Sequence, residues 1–111
     1  MSDHVKEITQ QDYEREVLAA ADPVVLDFYS TECPPCEALA PKLEAVAEAF
    51  AGKARFLKIF RQGNRELAAR LGVTGSPTLV FFRAGREVGE RMTGEEIKRT
   101  ALKAGVEALL G

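Results

Sequence analysis

The stretch from Val24 to Phe60 reads strand, helix, strand, and two cysteines separated by two residues sit at its first junction. Val24-Val25-Leu26-Asp27-Phe28-Tyr29 is short, rich in β-branched and aromatic residues, and bounded by Pro23 and Ser30, the pattern of a strand buried on both faces. Leu39, Leu43, Val46 and Phe50 then recur at helical spacing, which predicts one apolar face of a helix over Pro34 to Ala51, kinked at Pro41. Arg55 to Phe60 is a second apolar run with one interior charge, Lys58. Two such strands joined through a long helix are parallel neighbours, which confines the chain to the α/β class.

The flanking segments fit the same plan. Tyr13, Val17 and Leu18 predict a first helix over Gln10 to Ala20 capped by Thr9. A short helix capped by Asn64 and stopped at Gly72 follows the second strand. Thr78 to Phe82, a turn at Ala84-Gly85 and a strand over Arg86 to Met92 read as an antiparallel hairpin. Thr93 and Glu96 have capping-box spacing for a last helix bearing Ile97, Ala101, Leu102, Val106 and Leu109. No repeat, low-complexity tract or linker interrupts the order. The expected architecture is one domain over residues 1–111, a mixed sheet with helices on both faces.

Composition narrows the function. Of 111 residues, 46% are hydrophobic and 29% charged, enough apolar material for a core without structural metals or a web of disulfides. Fifteen basic and seventeen acidic residues interleave to a net charge of −2, so no basic stripe invites a nucleic-acid backbone. No run approaches a membrane span, and the opening Met1-Ser2-Asp3-His4-Val5-Lys6-Glu7 lacks the apolar core of a secretory signal, so the expected compartment is the cytoplasm. Thiols are kept reduced there, and Cys33 and Cys36 therefore read as a catalytic or metal-binding pair rather than a staple.

The pair lies where a strand hands over to a helix, the end of an open α/β sheet where reaction sites gather. Pro34 and Pro35 are tolerated in a first helical turn, which puts Cys33 at the cap and Cys36 one turn in on the same face. That geometry permits a disulfide. It also turns Cys33 toward the positive end of the helix dipole and the free N–H of Cys36, which makes Cys33 the better nucleophile. A metal site within one chain needs two further ligands, and the chain has no third cysteine and one histidine, His4, in a terminal segment expected to fray. A cluster bridging two chains stays open on spacing alone. Asp27, inside a doubly buried strand, is expected to hold its proton to unusually high pH.

Taken in order, Val25-Leu26-Asp27-Phe28-Tyr29, Cys33-x-x-Cys36, Ala40-Pro41, Lys58 and Gly75-Ser76-Pro77-Thr78 resemble the thioredoxin family over about Val5 to Leu109. The resemblance implies the thioredoxin fold and a protein-disulfide reductase. Cys33 matches the exposed attacking cysteine and Cys36 the buried resolving one. Asp27 matches an aspartate beneath them that exchanges protons with the resolving thiol, and Lys58 the lysine near that aspartate. Pro77 matches a proline held cis beside the site, Ser76 the residue whose backbone pairs with substrate, and Gly94 falls near a glycine of the docking surface. The resemblance further implies no bound cofactor beyond a redox-active Cys33–Cys36 disulfide, and a monomer. Its partners would be protein disulfides and an NADPH-linked reductase flavoprotein.

Three departures are particular to this chain. Glu32 stands where the family carries tryptophan, and the sequence contains no tryptophan at all. Pro34 replaces the glycine between the cysteines and stiffens the loop against which substrate would lie. Glu37 replaces a commonly basic residue, so two carboxylates flank the thiols and oppose the helix dipole. An oxidant or isomerase with the same chemistry, and a redox-silent interaction module on the same scaffold, are the alternatives these departures leave open.

Overall fold

A computed structural model describes residues 4–111. The central strands are β2 (Val24–Tyr29) and β3 (Arg55–Phe60), paired in parallel with Asp27 opposite Lys58 and joined through helix α1 (Pro34–Ala49). β1 (Val5–Ile8) adds to the free edge of β3 in parallel. On the other side of β2 runs β4 (Thr78–Arg83), antiparallel, carrying β5 (Arg86–Glu87) and β6 (Met92–Thr93), both antiparallel to it. The strand order is β1-β3-β2-β4-β5, with β6 also against β4. α2 (Arg65–Leu71) and α3 (Arg99–Leu110) complete the elements.

The sheet separates two apolar cores, and strand alternation assigns residues to each. Val25, Phe56, Leu79 and Phe81 pack with Leu39, Leu43 and Val46 of α1 and Leu102 and Val106 of α3. Val24, Leu26, Phe28, Leu57, Ile59, Val80 and Phe82 face the opposite way, onto Tyr13 and Val17 of the first helical segment and Leu67 and Ala68 of α2. The mixed sheet with helices on both faces is as the sequence predicts. The strand pattern of Val24 to Tyr29 is explained by these two cores, which leave no face of β2 for solvent.

Several boundaries differ from expectation. β1 is a strand that periodicity did not announce: Val5 and Ile8 are buried but three residues apart, and they join different cores. The first helix is irregular, a tight turn over Gln10–Asp12 followed by wide turns over Glu14–Leu18. Thr9 is its N-cap as predicted, in a capping box with Asp12 whose carboxylate accepts from the Thr9 N–H and hydroxyl at 3.0 and 3.2 Å. α1 contains Pro41 and ends at Ala49, two residues before the predicted Ala51. Arg86 to Met92 is two short strands separated by Val88–Arg91 rather than one. The capping box at Thr93 and Glu96 is not used, because Thr93 pairs with Thr78 in the sheet and α3 starts only at Arg99. His4 is tied to α1, its Nδ1 lying 2.6 Å from Glu44 Oε2.

α2 ends as expected at Gly72, in the left-handed conformation that stops a helix. Its start is capped from a distance. The Gln10 side-chain oxygen accepts from Leu67 N–H at 3.1 Å while Asn64 Oδ1 accepts from Gln10 N–H at 2.7 Å. Asn64 also donates to the Phe60 carbonyl at 2.8 Å, so it buckles the end of β3 to the N-terminal segment.

Candidate active site

Cys33 has extended backbone and caps α1, with Pro34 and Pro35 in the first turn as their missing N–H groups allow. A disulfide joins it to Cys36 across a Cα separation of 5.2 Å. The N–H of Cys36 donates to Cys33 Sγ at 3.2 Å. A negative charge on that sulfur would therefore meet a hydrogen-bond donor and the positive end of a helix of sixteen residues. The resemblance implied an exposed Cys33 and a buried Cys36, but both are buried, at 7% and 8% accessible. What differs is that donor, which serves Cys33 alone.

The loop before β4 closes over the pair. Ser76-Pro77 is a cis peptide, and the Ser76 carbonyl oxygen lies 3.7 Å from Cys33 Sγ. The Thr78 hydroxyl donates to the Gly75 carbonyl at 2.8 Å, tying the loop to itself. Gly94, exposed with φ +110°, follows the Thr78–Thr93 pair and so lies across from Pro77. Together with Gly75, Ser76, Pro77, Arg91 and Thr93 it lines a groove of about 290 Å³. Pro34 is exposed at the start of α1.

Asp27 is two residues on from Val25 in β2 and therefore points to the same face, the α1 side of the sheet. It is 6% exposed, and its Oδ1 has no hydrogen-bond partner among the described residues. Burial raises its carboxyl from 3.8 to about 7, and the positive charge of Lys58 pulls in the opposite direction. Lys58, half-buried on the neighbouring strand, stands level with Asp27 on one side and with Glu7 of β1 on the other. Its Nζ lies 5.6 Å from the ring centroid of Tyr29. The Tyr29 hydroxyl donates to Glu7, and burial together with that carboxylate holds the phenol well above its ordinary range.

Two features here were not singled out from sequence. Glu7 and Tyr29 complete a polar row with Lys58 and Asp27 that depends on β1, the strand whose pattern was silent. Arg61, one residue beyond β3, donates from Nε to the Ser76 hydroxyl at 2.9 Å. The rule that points to Cys33, the carboxyl ends of adjacent parallel strands, points equally to Arg61. Among the described residues no group of three or more His, Cys, Asp or Glu is arranged to hold a metal ion, and no helix is long and apolar enough to cross a membrane.

Comparison with known proteins agrees with this geometry. Residues 4–108 match the thioredoxin family model. A thioredoxin of Pseudomonas aeruginosa is 36% identical over 85 residues, 77% of this chain and 79% of that protein. The chloroplastic thioredoxin X of Arabidopsis thaliana is 35% identical over 107 residues, 96% of this chain and 58% of that one. A thioredoxin of Peptoclostridium acidaminophilum is 32% identical over 111 residues, the full length of both. With its sheet, its cysteine pair at disulfide distance and these relatives, the chain belongs to the thioredoxin family and is a thiol:disulfide oxidoreductase that reduces protein disulfides.

Proposed function

We propose that Cys33 is the attacking thiolate and Cys36 the resolving thiol. The observation that carries this order is the Cys36 N–H directed at Cys33 Sγ at the N-terminus of α1. In the reduced protein the Cys33 thiolate attacks one sulfur of a substrate disulfide. That S–S bond breaks, the departing substrate thiolate takes up a proton, and a mixed disulfide forms. Cys36, losing its proton to Asp27, then attacks Cys33 Sγ, which releases the second substrate thiol and leaves the Cys33–Cys36 disulfide. The two electrons have passed to substrate.

A buried carboxyl raised to about 7 is suited to taking and returning a proton near neutral pH, which supports Asp27 as the general base, with Lys58 setting how readily it ionises. Ser76, Pro77, Pro34 and Gly94 form the substrate-binding surface in this reading. The whole of it belongs to one thioredoxin-like domain, acting in electron transport as a monomer in the cytoplasm. A reductase flavoprotein using NADPH re-reduces the disulfide, and no bound cofactor takes part.

Substrate trapping tests the order. Cys36→Ser should accumulate a mixed disulfide through Cys33, visible by mass spectrometry, whereas Cys33→Ser should lose disulfide reduction and trap nothing. Trapping by Cys33→Ser instead would reverse the assignment. Equilibration with a glutathione buffer poised at about −220 mV tests direction: a reductant is found mostly oxidised, and a pair found mostly reduced would mark an oxidant.

A further inference from the structure

The rim around the disulfide is divided by charge. On the α1 side stand Glu32 and Glu37, both exposed and neither in an ion pair among the described residues, Glu32 at φ +50°. On the side of the Ser76-Pro77 loop stands Arg61, half-buried, its Nε anchored on Ser76 Oγ at 2.9 Å. Ser76 itself lies 3.7 Å from Cys33 Sγ through its carbonyl, so the guanidinium is fixed two contacts from the reacting sulfur. The two terminal nitrogens of Arg61 have no partner among the described residues. A space of about 490 Å³, lined by Arg61, Gln62, Arg65 and Thr74, opens beside it.

A guanidinium held by one nitrogen, partly desolvated and with its other donors unused, is preorganised for a carboxylate, which it can grip through two parallel hydrogen bonds. Charges at a binding rim govern encounter and partner choice more than raw affinity. We propose that Arg61 is a specificity-determining residue: it selects disulfides whose attacked cysteine carries an acidic neighbour on the side of the Ser76-Pro77 loop. The substrate class is therefore acidic disulfide segments, seated with their carboxylate toward Arg61 and away from Glu32 and Glu37. This rests on the reading of Cys33 as nucleophile.

Three disulfide peptides differing only in an Asp, Ser or Lys beside the attacked cysteine provide the test, as second-order rates of reduction at low ionic strength. The protein should reduce the Asp peptide about tenfold faster than the Lys peptide. Arg61→Gln should bring that ratio to about one, Arg61→Glu should invert it, and Arg61→Lys should keep its direction with a smaller value. Where a substitution prevents folding, raising salt from about 20 to about 500 mM with the unaltered protein should collapse the ratio. A ratio unmoved by Arg61→Gln or by salt, or a Lys peptide reduced first, overturns the proposal. Failure to reduce even the Ser peptide overturns the reductase reading beneath it, and the proposal with it.

Discussion

In Asp27 a carboxyl group is buried in the central strand and raised from 3.8 to about 7 by that burial. Between these values the unfolded chain has lost a proton that the folded protein keeps, so stability is fully present below about pH 4 and falls as pH rises toward 7. At about 1.4 kcal/mol per pH unit the loss across that interval is on the order of 4 kcal/mol. Asparagine has no such slope. We expect Asp27→Asn to be more stable than the native oxidised protein by about 2 kcal/mol at pH 8, after allowing for imperfect amide hydrogen bonding, and to show no gain at pH 4. Urea unfolding at the two pH values measures this, and the same variant should reduce disulfides more slowly. Equal stability at pH 8 would mean that Asp27 is solvated in the native state. This residue was legible in the sequence because a lone charge among apolar neighbours has no solvent-facing alternative in a doubly buried strand. Arg61 was not singled out, because an arginine just past a strand has the pattern of any solvated turn until Ser76 is known to be beside it.

Elements built from local signals were the readable ones. The handover from β2 to α1 carries its own instructions: a continuous apolar run, then a cap, then two prolines where N–H groups are dispensable. β1 carries none, since what makes it a strand is pairing with β3, fifty residues away in sequence. α3 begins late for a related reason, with Thr93 claimed by the sheet before it can cap anything. The turn between β4 and β5 holds a further constraint. Gly85 has φ +77°, and a Cβ there would meet the Leu18 carbonyl oxygen at 2.8 Å, whereas at Gly52, with φ +82°, a Cβ would meet nothing within 4 Å. Gly52→Ala should therefore cost about 1 kcal/mol for the backbone alone, and Gly85→Ala about 2 to 3 kcal/mol. Chemical denaturation of the two variants side by side measures the difference. Equal losses would show that the turn moves away from Leu18 without resistance.

Across the whole molecule, the class of fold and the position of the cysteines followed from periodicity. The long-range ties that finish the structure did not, since each joins residues with no pattern in common. The tie from Gln10 to Asn64 and Leu67 is the clearest, a glutamine in a terminal turn completing a helix more than fifty residues away. Gln10→Ala should leave Leu67 N–H without its acceptor, lower global stability by about 1 kcal/mol and speed amide exchange in the first turn of α2. Hydrogen exchange at Leu67 no faster than in the native protein would show that another group takes the place of Gln10. Asn64 grips the carbonyl of Phe60, the residue before Arg61, so this clasp is also the mooring of the turn that carries the rim cation. A chain trimmed of its first dozen residues would still own both cysteines, Asp27 and Pro77. It would hold them in a frame unlatched at one corner, and the damage would register first in which disulfides it prefers and only later in whether it reduces them.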